Sequence, residues 1–383
     1  MSSLYIVFGS WKLRHNEPLQ AGEGGLRLHA APGPDALHSL LIDVRGPSKP
    51  AATVVDGALA WCDDSAPERA CANLAIEELP LAAVRFDNGV FQITHLLTRV
   101  ESHITHLIRP HHAVAPAPGA QLETALRAAF EANHIFVNNF ECYYIKGMPD
   151  TELEQKFHIR GQFDYHEVNR ALYAKFGDGK VPGFALQLGD ELEHWAYDND
   201  FARILPNVEN AAGYLSIMHW SRKRKTEWDE PVVTFKKKLY AEDALERWER
   251  NYGDQTIATT PEAALAEFFE LPIEMLPSWR RTRYDIACEV LATGNIFMVN
   301  FEDSRVRDDR TSRGRLQQCE IEYLKTRGEP DEATIYRDFA LLTEKVEQFM
   351  DEHGIGYERT NYSKLTFLDE YVKAGRALAG EAA

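Results

Sequence analysis

The chain lacks any apolar run approaching the roughly 18 to 20 residues that a membrane-spanning helix needs. Its opening, MSSLYIVFGSWKLRHNEP, has no basic start, long apolar core or small-residue cleavage site. Neither a membrane anchor nor a secretory leader is expected, and a cytoplasmic protein is. Cysteine is scarce. Cys62, Cys71, Cys142, Cys288 and Cys319 are odd in number and contain no CxxC pair, which argues against a disulfide framework and a structural zinc site and predicts reduced thiols. Positive charge is short as well: 42 basic residues stand against 59 acidic ones, a net charge of −17. Such a balance argues against general binding to nucleic acid or to an anionic membrane. No pattern in the sequence reports the oligomeric state.

What is present suits a folded protein of about two domains: 383 residues, 44% of them hydrophobic and 26% charged. The scarce basic residues are bunched, in SRKRKTEW (221 to 228), TFKKKLY (234 to 240), SWRRTRY (278 to 284) and SRVRDDRTSRGR (304 to 315). In an acidic chain such bunching suggests a local site for a small polyanion, against the plainer reading of solvated strand faces and loops.

Short β-like runs fill residues 1 to about 110. The spacing of Ile93, Leu96, Leu97, Val100, Ile104, Leu107 and Ile108 predicts an amphipathic helix over 91 to 109. On that helix His95, His103 and His106, with His111 and His112 beyond, have a spacing that could hold a transition metal, although no carboxylate motif accompanies them. A Pro-rich stretch, 109 to 120, reads as a linker and 120 to 134 as a helix, so the domains are placed at 1 to 118 and 119 to 376. Beyond it, strands are expected at 134–145, 152–159, 213–224, 231–240, 280–290, 294–303 and 317–326, and helices at 165–176, 241–251, 261–270 and 332–353. Many strands with interspersed helices make an α+β protein.

The charged strands share one pattern. In TELEQK, Glu152, Glu154 and Lys156 occupy one face of a strand while Leu153, Gln155 and Phe157 take the other. Two like charges roughly 6 to 7 Å apart repel one another unless a hard divalent cation lies between them. The same alternation places Arg222 with Arg224, Thr234 with Lys236 and Lys238, Arg281 with Arg283, and Glu320 with Glu322. If these faces converge inside a closed antiparallel barrel, its interior holds acids and bases together. Unpaired ions in an apolar core each cost several kcal/mol, so that interior must be wet and occupied by metal and anion. Lys223, Lys225 and Lys237 should then point outward.

In order and spacing this set resembles the CYTH superfamily, the triphosphate tunnel metalloenzymes. Glu152, Glu154 and Lys156 match its ExExK strand, Arg222/Arg224, Thr234/Lys236/Lys238 and Arg281/Arg283 its middle basic strands, Glu320/Glu322 its late ExE strand, and Tyr362-Ser363-Lys364 its closing strand. The resemblance spans about 150 to 370. It implies an α+β fold with a closed antiparallel β-barrel, a triphosphate tunnel with surrounding helices, beside a smaller N-terminal α+β domain of unknown role. It also implies metal-dependent hydrolysis of a nucleoside triphosphate or inorganic tripolyphosphate. Glu152, Glu154, Glu320 and Glu322 would hold Mg²⁺ or Mn²⁺, and Glu152, Glu154 and Lys156 would form the catalytic strand. Lys156, Arg222, Arg224, Lys236, Lys238, Arg281, Arg283 and Lys364 would bind phosphate. A nucleotidyl cyclase on the same site, and a polyphosphate or nucleotide sensor without turnover, remain as alternatives. The long insertion at 160 to 212 and the Arg/Asp-rich stretch at 303 to 316 depart from the family pattern.

Overall fold

In the computed structural model, residues 3–11, 25–43, 50–62, 78–101, 104–138, 144–187, 192–207, 209, 211–220, 232–307, 309 and 312–381 are described. The chain divides into two units. One comprises Met1–Ile145 with Val290–Gly294 and Thr326–Pro330, the other Lys146–Glu289 with Asn295–Lys325 and Asp331–Ala383. No helix among the described residues is long and apolar enough to cross a membrane.

The first unit is built on strands β1 (Ser3–Gly9), β2 (Leu26–Ala30), β3 (Ser39–Asp43), β4 (Ala52–Val55), β5 (Ala58–Trp61), β6 (Leu79–Asp87), β7 (Val90–Glu101), β8 (Ile104–Ile108) and β9 (Ala117–Pro118). They form one antiparallel sheet in the order β3-β8-β7-β6-β1-β2-β4-β5, with β9 on β7. Helix α1 (Leu122–Asn138) presents Leu122, Leu126, Ala129 and Phe130, at helical spacing, to Val7, Leu81, Val84, Phe91 and Leu96 on one face. It therefore belongs to this unit, which runs beyond residue 118 to Ile145. Ile6, Phe8, Leu40, Ile42 and Leu107 form a second cluster.

The helix expected over 91 to 109 is instead the β7–β8 hairpin. Two features imitate the helical period: residues 93 to 97 are buried on both faces of the strand, and the register shifts between Leu97 and Arg99. The histidines consequently do not share a helix face. His95 is buried, with Nε2 2.8 Å from the Leu37 carbonyl oxygen and Nδ1 2.9 Å from Thr94 Oγ1, and burial pushes its ring down to about 4. His103 lies outside the described residues.

The chain continues with β10 (Tyr144–Ile145), β11 (Thr151–Arg160), α2 (Tyr165–Gly177), β12 (Phe184–Leu186), β13 (Glu193–Ile204), β14 (Gly213–Trp220), β15 (Val233–Leu239), β16 (Glu246–Gln255), α3 (Pro261–Phe269), β17 (Ile273–Val290), β18 (Asn295–Val306), β19 (Arg315–Arg327), α4 (Glu332–Glu352), β20 (Gly356–Thr360) and α5 (Lys364–Glu381). All of these belong to the second unit except β10, Val290 of β17 and Thr326 and Arg327 of β19, which fall in the first. Eight strands pair antiparallel in the order β11-β16-β15-β14-β13-β17-β18-β19, and β19 pairs back onto β11. The sheet is a closed barrel, and the protein is α+β.

The helices begin where side chains cap them: Asp164 accepts from the Glu167 N–H, Thr260 from Ala263, and Asp331 from Thr334. Leu265 of α3 packs with Leu215, Ile217 and Phe235. Phe339 and Phe349 of α4 meet Phe297 and Phe301 of β18. Helix α5 sends Phe367 and Leu368 into a cluster with Phe201, Leu276, Trp279 and Leu316.

Three further expectations are corrected. Residues 241 to 251 do not form a helix: 246 to 251 open strand β16, because Arg247 and Glu249 find ionic partners only when they alternate with Trp248 and Arg250. The strand expected at 134 to 145 starts within α1, with 139–143 outside the described residues. Tyr362-Ser363-Lys364 is not a closing strand. The barrel closes between β11 and β19, and Lys364 opens α5.

Gly213 opens β14 with φ +133°, and a Cβ there would strike the carbonyl oxygen of Lys238 on the paired strand. Gly213→Ala is therefore expected to lower unfolding free energy by roughly 1–3 kcal/mol, measured by denaturant titration. Gly253→Ala, whose Cβ meets nothing within 4 Å, is the control. Equal stability of the two variants would show that the backbone at Gly213 relaxes.

Candidate functional site inside the barrel

Strand β11 places Glu152, Glu154 and Lys156 on the lumen face, all buried. Register sets its neighbours: Arg247 of β16 lies opposite Glu152 and Glu320 of β19 opposite Lys156, opposite charges in each case, whereas Glu322 of β19 lies opposite the like charge of Glu154. Lys236 and Lys238 come from β15, Arg281 and Arg283 from β17, and Lys364 from the first residue of α5. With Tyr214 and Ser363 these side chains line one cavity of about 40 Å³, space for only a few waters.

Most of the charges there are paired. Lys156 Nζ lies 2.6 Å from Glu154 and 2.5 Å from Glu320. Lys364 Nζ lies 2.5 Å from Glu320 and 2.9 Å from Glu302. Arg281 joins Glu320 at 2.8 Å and also contacts Glu302. On the other side Lys236 meets Glu249 at 2.8 Å, Lys238 contacts Glu152 and reaches Glu154 at 3.5 Å, and Arg247 reaches Glu154 at 3.4 Å. Arg283 is held 2.7 Å from Asp285. Six glutamates and seven cations thus share the lumen, a near balance that makes their burial tolerable.

The balance is not uniform. Burial raises the Glu154 carboxyl, but Lys156, Lys238 and Lys364 outweigh it and the neighbouring Glu320, and hold it down to about 2. Glu320, between Lys156, Lys364 and Arg281, is also held well below the usual range despite its burial. Glu152 moves the other way, raised by burial and by the Glu154 and Glu249 charges. Glu322 has no hydrogen-bond or ion-pair partner among the described residues, and burial with the Glu249 and Glu154 charges lifts it to about 7. Two lowered carboxyls, Glu154 and Glu320, and two elevated ones, Glu152 and Glu322, therefore stand on adjacent strands.

The cavity brings together ten of the twelve residues singled out from the sequence. The other two, Arg222 and Arg224, lie outside the described residues. Lys237 faces away, its Nζ 6.0 Å from the Trp248 ring and 5.9 Å from the Phe269 ring. Sequence reasoning missed Arg247, Glu249 and Glu302. The first two were hidden by the helical reading of 241 to 251, although alternation in ERWERN carries them. Glu302 is the single charged residue in NIFMVNFE, with only its place in β18 opposite Arg283 to mark it.

Hard oxygen donors that repel one another fit a divalent cation by chemistry, and the raised Glu152 and Glu322 carboxyls are the groups such a cation would relieve. Among the described residues, however, no three acidic, histidine or thiol groups already converge on one point.

No protein-family model and no curated protein matches this chain. Among solved structures, the PH1819 protein from Pyrococcus horikoshii OT3 aligns over 57% of this chain and 99% of its own, at 16% identity and a TM-score of 0.34. A chain of the Schizosaccharomyces pombe Mediator head module covers 53% of this chain and 95% of its own, at 11% identity and a TM-score of 0.32. The S. pombe Pct1 RNA triphosphatase covers 56% and 90%, at 12% identity and a TM-score of 0.24.

The raised Glu322 carboxyl has a definite consequence for stability. Folded protein binds the extra proton between pH 4.5 and about 7, so stability falls as pH rises through that window and the loss is complete above it. With a chelator present, Glu322→Gln should stabilise the protein more at pH 8 than at pH 5, by up to about 3 kcal/mol. A gain of the same size at both pH values in thermal denaturation would show that this carboxyl ionises normally.

Proposed function

We propose that the barrel interior binds a triphosphate together with a divalent cation and hydrolyses it. The observation that carries this reading is the convergence of six glutamates and seven cations on one lumen, in the strand order that resembles the triphosphate tunnel metalloenzymes. Neither an apolar ligand nor a simple cation has use for both sets. A polyphosphate with its metal matches both: its oxygens would replace glutamates on the lysines and arginines, and the released carboxylates would take the metal. The exchange keeps every buried charge compensated.

In this reading Glu152, Glu154, Glu320 and Glu322 would hold Mg²⁺ or Mn²⁺, which when bound supplies Lewis-acid stabilisation of phosphoryl oxygens. Lys156, Lys236, Lys238, Arg281, Arg283 and Lys364, with Arg222 and Arg224 from the sequence pattern and Arg247 from the geometry, bind and straighten the phosphate chain. They also neutralise the charge that develops as the terminal phosphoryl group transfers. Water attacks the terminal phosphorus, its proton passes to a lumen carboxylate, and the diphosphate oxygen leaves. The small initial cavity keeps other water out.

One observation favours a second reading, binding without turnover: Glu152, Glu154 and Glu320 are held by cations, and no three metal-ligating groups converge among the described residues. Phosphate release from tripolyphosphate, ATP and GTP with Mg²⁺ or Mn²⁺ separates the two. Hydrolysis predicts metal-dependent release that is abolished in Glu152→Gln/Glu154→Gln. Binding of tripolyphosphate with no release under either metal supports the sensor. A cyclic nucleotide with pyrophosphate would identify a cyclase.

The register makes a sharper claim. Lys236→Ala should cut turnover roughly 100-fold, while Lys237→Ala, which removes only a contact on the outer surface, should stay within about twofold. The reverse ranking in steady-state kinetics would overturn the assignment of faces.

A further inference from the structure

A second cavity, of about 430 Å³, lies between β11, the start of β19 and helix α5. That volume is within the range of small-molecule sites, roughly 300–1,000 Å³, and about ten times the space left in the charged lumen. Nothing in the proposed hydrolysis uses it. Its walls are aromatic: Tyr362, Phe367 and Tyr371 with the His158 imidazole. The His158 and Tyr362 rings lie nearly parallel, 13° apart in plane, with centroids 6.2 Å apart.

The edges of the cavity are polar and of both kinds. Tyr362 donates to Glu370 at 2.6 Å and Tyr371 to Asp309 at 3.2 Å, so each ring is held in place by a carboxylate that keeps further acceptor capacity. Arg315 lines the cavity as a donor, its guanidinium anchored on Asp303 at 2.8 Å. Flat apolar faces with acceptors and donors around the rim do not suit a fatty chain or a bare anion. They suit a planar ring that carries both amino or imino groups and carbonyl or ring-nitrogen acceptors.

The cavity is also next to the charged lumen in the chain. Tyr362 lines the first and Lys364 the second, with Ser363 between them facing the lumen. Two residues of backbone span about 7 Å. On β11, His158 follows Lys156 at the next position of the same face.

We propose that the α5 cavity binds a planar heteroaromatic ring of nucleobase size, and that its occupancy is coupled to the charged lumen through the Tyr362-Ser363-Lys364 wall. The ring has two sources, a free nucleoside or the base of a nucleoside triphosphate whose phosphates lie in the lumen. Only the second source rests on the triphosphate reading.

Isothermal titration calorimetry of the full chain with tripolyphosphate, adenosine, guanosine, ATP and GTP, each with Mg²⁺, tests this. At least one nucleoside triphosphate should bind about 10-fold more tightly than tripolyphosphate, the scale of one base stacked on aromatic side chains. Ala374→Trp, which fills the cavity from an exposed position of α5, should remove that increment and leave tripolyphosphate binding unchanged. Tyr371→Ala should reduce the increment without filling the space, and covers the case in which the Trp variant does not fold. Free nucleosides that bind, and are displaced by ATP or GTP, identify the substrate's base as the occupant. Nucleosides that bind alongside ATP and change its affinity identify a separate effector. If no nucleoside binds and ATP and GTP match tripolyphosphate, the inference falls and the triphosphate reading stands. If nucleosides bind and no triphosphate does, the cavity stands and the triphosphate reading falls.

Discussion

Compensation of buried charge is the constraint on which the second unit depends. Glu152, Glu154, Lys156 and Glu320 are each less than 5% exposed, and an uncompensated ion at such depth would cost several kcal/mol. The barrel tolerates them because neighbouring strands bring charges of the other sign within reach, as with Lys156 across from Glu320, although Glu154 faces Glu322 across the same seam. The register of β11, β16 and β19 is thus tied to electrostatics as firmly as to apolar packing. A slip of one residue would turn Leu153 and Phe157 into the lumen and the charges into the outer core.

The same network gives the lumen its chemistry. In the proposed reading, binding either partner alone would strand the groups it displaces, whereas joint binding of cation and anion would satisfy both sets. The elevated Glu152 and Glu322 carboxyls mark where the internal compensation is poorest.

Much of this site was legible in the sequence because a strand writes its faces in alternate letters. TELEQK and CEIEY separate charge from uncharged residues with period two, VTFKKK and RRTR repeat charges at alternate positions while also carrying Lys237 and Arg280 on the other face, and closure of the barrel gathers the inward set. The same rule identifies Arg247 and Glu249 once ERWERN is read as a strand, but its charged and aromatic composition suits a helix equally well. Glu302 has no charged neighbour at alternate positions and becomes visible only through Arg281 and Lys364. The β7–β8 hairpin defeated periodicity for a different reason: with both faces covered and a shifted register, its apolar residues lose the period of two. Lys364 was placed correctly in the lumen on the wrong element, since a helix start and a strand end present one side chain equally well.

Closure between β11 and β19 joins residues far apart in the chain, with Lys156 and Glu320 separated by 164 positions. A contact of that span carries the entropy cost of closing a long loop, which disfavours the seam early in folding. Until then β11 and β19 are unpaired edges, the type of edge along which sheets of different molecules join. Charged side chains along such edges resist that association. The glutamates and lysines of the lumen therefore also guard the open barrel against aggregation until the seam between β11 and β19 forms.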